Sequence, residues 1–228
     1  MKFLKIVLML GSLVSAASAA PLCVNDGSLQ SYITTYNTQA NACQIGDKLF
    51  WGFNLNDTTG FGPDATQIQV QPIPFDGISN IGISFNSGGW IADPGFPIDA
   101  FVSYNVATLD GQPHIDDGTL SITGTLSGGG ATATVTETLT PAVSGSPLVA
   151  SLPSPVSDHI VFASTLQTSL FVKNEINLFV DPRFPSSSSH VSVIENDFSE
   201  NITVPEPLVT TFIGSGLLLF GFLRRKRA

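Results

Sequence analysis

The sequence predicts a mainly β protein, an antiparallel β-sandwich preceded by one short N-terminal helix and followed by a C-terminal transmembrane helix. Three observations carry this expectation. Between residues 48 and 198, apolar residues recur with period two in short runs bounded by Gly, Pro, Asn and Asp. One stretch of the body, residues 28–40, has helical spacing instead. Near the end of the chain, residues 208–223 form an uncharged 16-residue run followed at once by Arg224, Arg225, Lys226 and Arg227.

Taken in order, residues 1–20 have the make-up of a secretory signal peptide. Lys2 and Lys5 form a basic start, residues 6–14 an apolar segment, and Ala17-Ser18-Ala19 a small-residue cleavage site. Residues 21–204 then form a single exported domain without an internal repeat. Its helix rests on Leu29, Tyr32, Ile33 and Tyr36, with Ser28 as N-cap. Cys23 and Cys43 bracket that helix. As the chain's two cysteines, in an exported protein, they are expected to form a disulfide worth about 3 kcal/mol. Zinc is the rival reading, and two cysteines without paired histidines make no zinc set.

After Cys43 the period becomes two. Strands are expected over 48–55, 66–73, 78–86, 100–106, 120–126, 131–139, 158–163, 170–180 and 191–198. Ser127-Gly128-Gly129-Gly130 joins two of them, which reads as a hairpin with Thr132, Thr134, Thr136 and Thr138 on one face. Roughly nine strands with frequent turn signals and one helix point to a jelly-roll or immunoglobulin-like sandwich.

Charge is segregated along the chain. Six of the nine basic residues sit at the two ends, leaving Lys48, Lys173 and Arg183 against eighteen acidic residues in the middle. A body so acidic repels phosphate backbones and excludes nucleic acid as a partner. Its apolar content excludes wholesale disorder. The basic tail 224–227 belongs on the cytoplasmic side of a membrane, so the body lies outside, in agreement with the leader. Sixteen apolar residues are slightly short for a span, and snorkelling arginines cover the difference.

Just before that run stands Pro205-Glu206-Pro207, an extended, exposed hinge, because proline lacks a backbone donor and resists helix. The tripeptide, the glycine-bearing apolar run (Gly214, Gly216, Gly221) and the Arg-rich end together resemble the bacterial PEP-CTERM sorting signal. The resemblance implies that an exosortase-type membrane transpeptidase recognises residues 205–207 and processes the protein from an inner-membrane intermediate to the cell envelope or the extracellular space. Three stretches of the body resemble a recurrent group of such proteins: Cys43-Gln44-Ile45-Gly46-Asp47-Lys48-Leu49-Phe50, Val135-Thr136-Glu137-Thr138 and Asn196-Asp197-Phe198-Ser199. That group implies an exported β-rich domain of unassigned activity.

The sequence nominates no catalytic residues. There is no G-x-S-x-G elbow, and the adjacent Asp158 and His159 point to opposite faces of a strand. Asp110, Asp116 and Asp117, in a Gly/Pro-containing loop, are candidate Ca²⁺ ligands, although their spacing does not match an EF-hand. Trp51, Trp90 and Tyr104 are candidates for a sugar-binding face. The expectation is an exported, non-enzymatic surface protein without cofactor, with a structural or interaction role in the envelope or extracellular matrix. The alternatives are a carbohydrate-binding or calcium-stabilised module and, after that, a secreted hydrolase using two of the many acidic residues.

Overall fold

The computed structural model describes residues 19–74, 81–110, 114–162 and 167–199. In chain order the elements are β1 (Gly27–Ser28), α1 (Leu29–Thr35), β2 (Cys43–Ile45), β3 (Lys48–Asp57), β4 (Gln69–Ile73), β5 (Ile81–Asn86) and β6 (Ile91–Ala92). Then come β7 (Ile98–Thr108), β8 (Asp117–Ser127), β9 (Ala131–Thr140), β10 (Leu148–Leu152), β11 (Ser157–Val161), β12 (Ser169–Val180) and β13 (Ser188–Ser199). They build two antiparallel sheets. The seven-stranded sheet runs β1-β4-β5-β13-β8-β11, with β6 also pairing β13, and the six-stranded sheet runs β10-β9-β12-β7-β3-β2.

Alternation drives the packing. Val102, Tyr104 and Val106 of β7, with Leu170, Val172, Ile176 and Leu178 of β12, point inward from the six-stranded layer. Leu120 and Ile122 of β8, with Ile194 and Phe198 of β13, meet them from the other. Each such side chain, fully buried, contributes about 1.5–3 kcal/mol of transfer free energy. The two-sheet antiparallel architecture and the one α-helix among the described residues match the sequence expectation for the body.

The helix is shorter than the periodicity predicts. The Ser28 hydroxyl accepts from the Ser31 N–H at 3.2 Å, so the predicted cap holds, but α1 ends at Thr35. Tyr36 leaves helical geometry, and its carbonyl accepts from Gly52 N–H at 2.7 Å, tying the helix end to β3. A 3₁₀ turn over Gln39–Asn41 then leads into β2. That path lets Tyr32 pack edge-on against Phe53 and brings Cys43 within 4.7 Å (Cα to Cα) of Cys23, the observed disulfide.

The expected hairpin across Ser127-Gly128-Gly129-Gly130 is not one. β8 pairs with β11 and β13, while β9 pairs with β10 and β12, so this turn carries the chain from one sheet to the other. Both strands bury one face and expose the other, a pattern that fits a corner between layers as well as a hairpin. The glycines serve the corner in two ways. Gly128 and Gly130 hold positive φ (75° and 68°), and a Cβ on Gly129 or Gly130 would crowd the Phe184 ring stacked over them.

Candidate functional site

The inner surfaces of the two sheets carry a polar cluster where period two alone would place apolar side chains. Glu137 on β9, Asn174 on β12 and Asn196 on β13 are all fully buried. Glu137 and Asn174 are register partners within the six-stranded sheet. Asn196 faces them from the other layer. Its Nδ2 donates to Glu137 Oε2 and to Asn174 Oδ1 (3.2 Å), and Asn174 Nδ2 donates back to Asn196 Oδ1 at 2.7 Å. This reciprocal amide pair therefore clasps the two sheets through their shared core.

Glu137 sits in an unusual electrostatic position. Burial, then the negative Asp197, push its carboxyl up to about 8, against the pull of the Asn196 hydrogen bond. Its Oε1 has no partner among the described residues, nor does the buried Tyr104 hydroxyl. Tyr104 is itself raised well above the ordinary tyrosine range by burial and by the charges of Glu137 and Asp197. At neutral pH the cluster accordingly favours a protonated Glu137.

Lys48 is the second buried polar feature. It is 1% exposed and its ammonium lies 3.2 Å from Asp47 Oδ1. Three stretches singled out in the sequence thus have internal duties. Cys43 and Asp47-Lys48 belong to a disulfide and a partly buried ion pair, and Glu137 joins Asn196 across 59 residues of sequence. The signal for the clasp was present in the strand parity. Glu137 shares its face with Ala133, Val135 and Leu139; Asn174 with Val172 and Ile176; Asn196 with Ile194 and Phe198.

The outer faces of the two sheets differ in charge. On the seven-stranded sheet, Asp197 stands in register with Gly82 and Thr119, Glu195 lies two residues away on the same strand, and Asp117 pairs with Ser199 one step further. A Cβ at Gly82 would run into the Asn196 carbonyl and the Asp197 carboxylate, so glycine there makes room for the acid. Asp197 is held above the usual carboxylate range, first by burial, then by Glu195 through both charge and a shared hydrogen bond, then by Asp117. Asp117 Oδ1 accepts from Ser199 N–H at 3.0 Å.

The outer face of the six-stranded sheet is nearly neutral. Trp51, Asn105 and Phe171 stand in one register row across β3, β7 and β12. A bulge between Trp51 and Asn54 includes Gly52 at φ 69°, and the Asn105 side chain donates to the Trp51 carbonyl at 3.4 Å, fixing that corner. Further along, Lys173 lies 3.7 Å over the Phe101 ring, with Glu175 in register beside Phe101. The threonines of β9 line the adjacent strip.

The other predicted site residues are placed as follows. Trp90 and Tyr104 are completely buried and cannot form a sugar platform; of the predicted trio, Trp51 is on the surface face. Asp110 is exposed, Asp117 opens β8, and Asp116 just before it bonds through its backbone to Ser199 and Phe162; among the described residues no group of three His, Cys, Asp or Glu side chains is arranged to hold a metal ion. Asp158 and His159 indeed point apart: Asp158 Oδ2 accepts from Val149 N–H, and His159 Nδ1 meets the Thr119 hydroxyl at 3.0 Å. Pro205, Glu206, Pro207, the run 208–223 and the basic tail 224–227 lie outside the described residues, as do residues 1–18 of the expected leader 1–20. Among the described residues no helix is long and apolar enough to cross a membrane.

Neither a family model nor a curated protein matches this chain. Among solved structures, the enzymatically active domain of tailspike protein 4 from bacteriophage CBA120 is similar at 9% identity and a TM-score of 0.27. The match covers 64% of this chain and 19% of the tailspike chain.

Proposed function

We propose that this chain is an exported surface protein with a structural or interaction role in the cell envelope or extracellular matrix. The observation that carries the reading is the Cys23–Cys43 disulfide, which staples the N-terminal segment to β2 and is compatible with an oxidising, extracytoplasmic setting. Residues 1–20 supply the leader, and residues 205–228 hold the exported body at the inner membrane until an exosortase-type transpeptidase acts at Pro205-Glu206-Pro207. Ser199, the last described residue, ends β13 beside Asp117 at one end of the sandwich. The opposite end carries the exposed Phe61, Phe96 and Phe184 on its turns, so a body tethered through its C-terminus presents those rings away from the membrane.

The double substitution Pro205→Ala with Glu206→Ala tests the reading. Full-length protein should then accumulate in the membrane fraction. Loss from the membrane at the wild-type rate contradicts it. A second reading, carbohydrate binding, is favoured by the aromatic row on the six-stranded face.

A further inference from the structure

The outer face of the six-stranded sheet differs from the rest of this acidic body. Trp51 and Phe171 flank Asn105 in one row, and with strands about 4.8 Å apart their backbones stand about 10 Å from each other. Phe171 is 39% exposed and Phe179, further along the same strand and face, is 49% exposed. Flat rings on an open sheet suit the apolar faces of sugar rings, and the Asn105 amide between them, with Thr140 of β9 next in the row beyond Phe171, suits hydroxyl groups.

Charge selects among ligands. On this face Lys173 offsets Glu175 two residues away and Asp99 of β7 adds one acid near the edge, whereas the opposite face concentrates Asp117, Glu195 and Asp197. With so few basic residues in the body, an anionic polymer would meet net repulsion, and a cationic one would be drawn to the other face. We infer that the row Trp51–Asn105–Phe171 on the six-stranded sheet is a docking platform for a neutral polysaccharide. The inference deepens the surface-protein reading and rests on it, because that address places the face against extracellular polymer.

The test is affinity electrophoresis of the full-length chain in detergent, through gels containing hydroxyethylcellulose, dextran or polygalacturonate. Retardation is expected in at least one neutral glucan gel and not in polygalacturonate. Phe171→Ala, an exposed change that leaves the core intact, should weaken the retardation about tenfold, and Trp51→Ala should abolish it. Should Trp51→Ala fail to fold, Phe171→Ala with Phe179→Ala takes its place. Absence of retardation in both neutral gels overturns the inference, as does retardation unchanged in the Phe171→Ala protein or confined to polygalacturonate. Sedimentation showing a wild-type dimer that Phe171→Ala dissociates would assign the face to a second copy of the chain and overturn it equally. A protein that is exported and processed but not retarded sinks the platform alone; one that stays unprocessed sinks the sorting reading.

Discussion

At Glu137 the protein keeps a carboxyl among residues that exclude water, and the consequence is a definite pH dependence. The group's ordinary value is 4.5, and burial with the Asp197 charge raises it to about 8 in the folded chain. Between those values the folded state holds a proton that the unfolded state has lost, so stability falls as pH rises and levels off above about 8. Asp197, also raised, through burial, Glu195 and Asp117, adds in the same direction. Glu137→Gln should flatten the decline in melting temperature between pH 5 and pH 8, leaving the part due to Asp197. A profile identical to wild type would show that Glu137 does not titrate in that window. Asn196→Ala strands both Asn174 and Glu137 in the core and should cost about 3 kcal/mol, read as a lower urea midpoint at unchanged slope. A double-mutant cycle with Asn174→Ala should show coupling, since the two amides bond reciprocally.

At the scale of elements, the disulfide and the glycine corner are the places where single changes have definite costs. Cys23→Ser with Cys43→Ser opens a loop of sequence separation 20 and should lower stability by about 3 kcal/mol, measured by denaturant unfolding without reductant. Gly130→Ala must hold φ at 68° while its methyl meets Phe184, and should cost about 1–2 kcal/mol. The same elements show what period and turn chemistry can and cannot reveal. Strand positions were legible because one face of nearly every strand is apolar, and Ser28 was legible as a cap because its hydroxyl does what an N-cap hydroxyl does. Partners were not legible. β8 and β9 are neighbours in sequence, yet each bonds to strands 30 or more residues away, to β13 and β12 respectively, and no local pattern encodes that choice. The clasp escaped because a Glu between threonines looks like surface, although its parity with Val135 and Leu139 places it inside.

For the whole molecule, the two outer faces of the sandwich differ in charge and in exposed rings. The core, clasped through Asn174 and Asn196, fixes the sheets against each other. One outer face gathers carboxylates, while the other presents rings and neutral polar groups. Of the three aromatic residues expected on a sugar face, Trp51 stands on an outer face, whereas Tyr104 alternates with outward Ser103 and Asn105 and so belongs to the core. The proposed address rests on segments beyond the sandwich, residues 1–20 and 205–228, and is read from their composition and motif alone. The central claim is that Pro205-Glu206-Pro207 is processed after export. Mass spectrometry of the native protein's C-terminus, on membrane and medium fractions separately, tests it most directly. The account predicts a mature chain outside the membrane that ends near residues 205–207. An intact Ala228, found in the membrane fraction with no shortened form elsewhere, would contradict it.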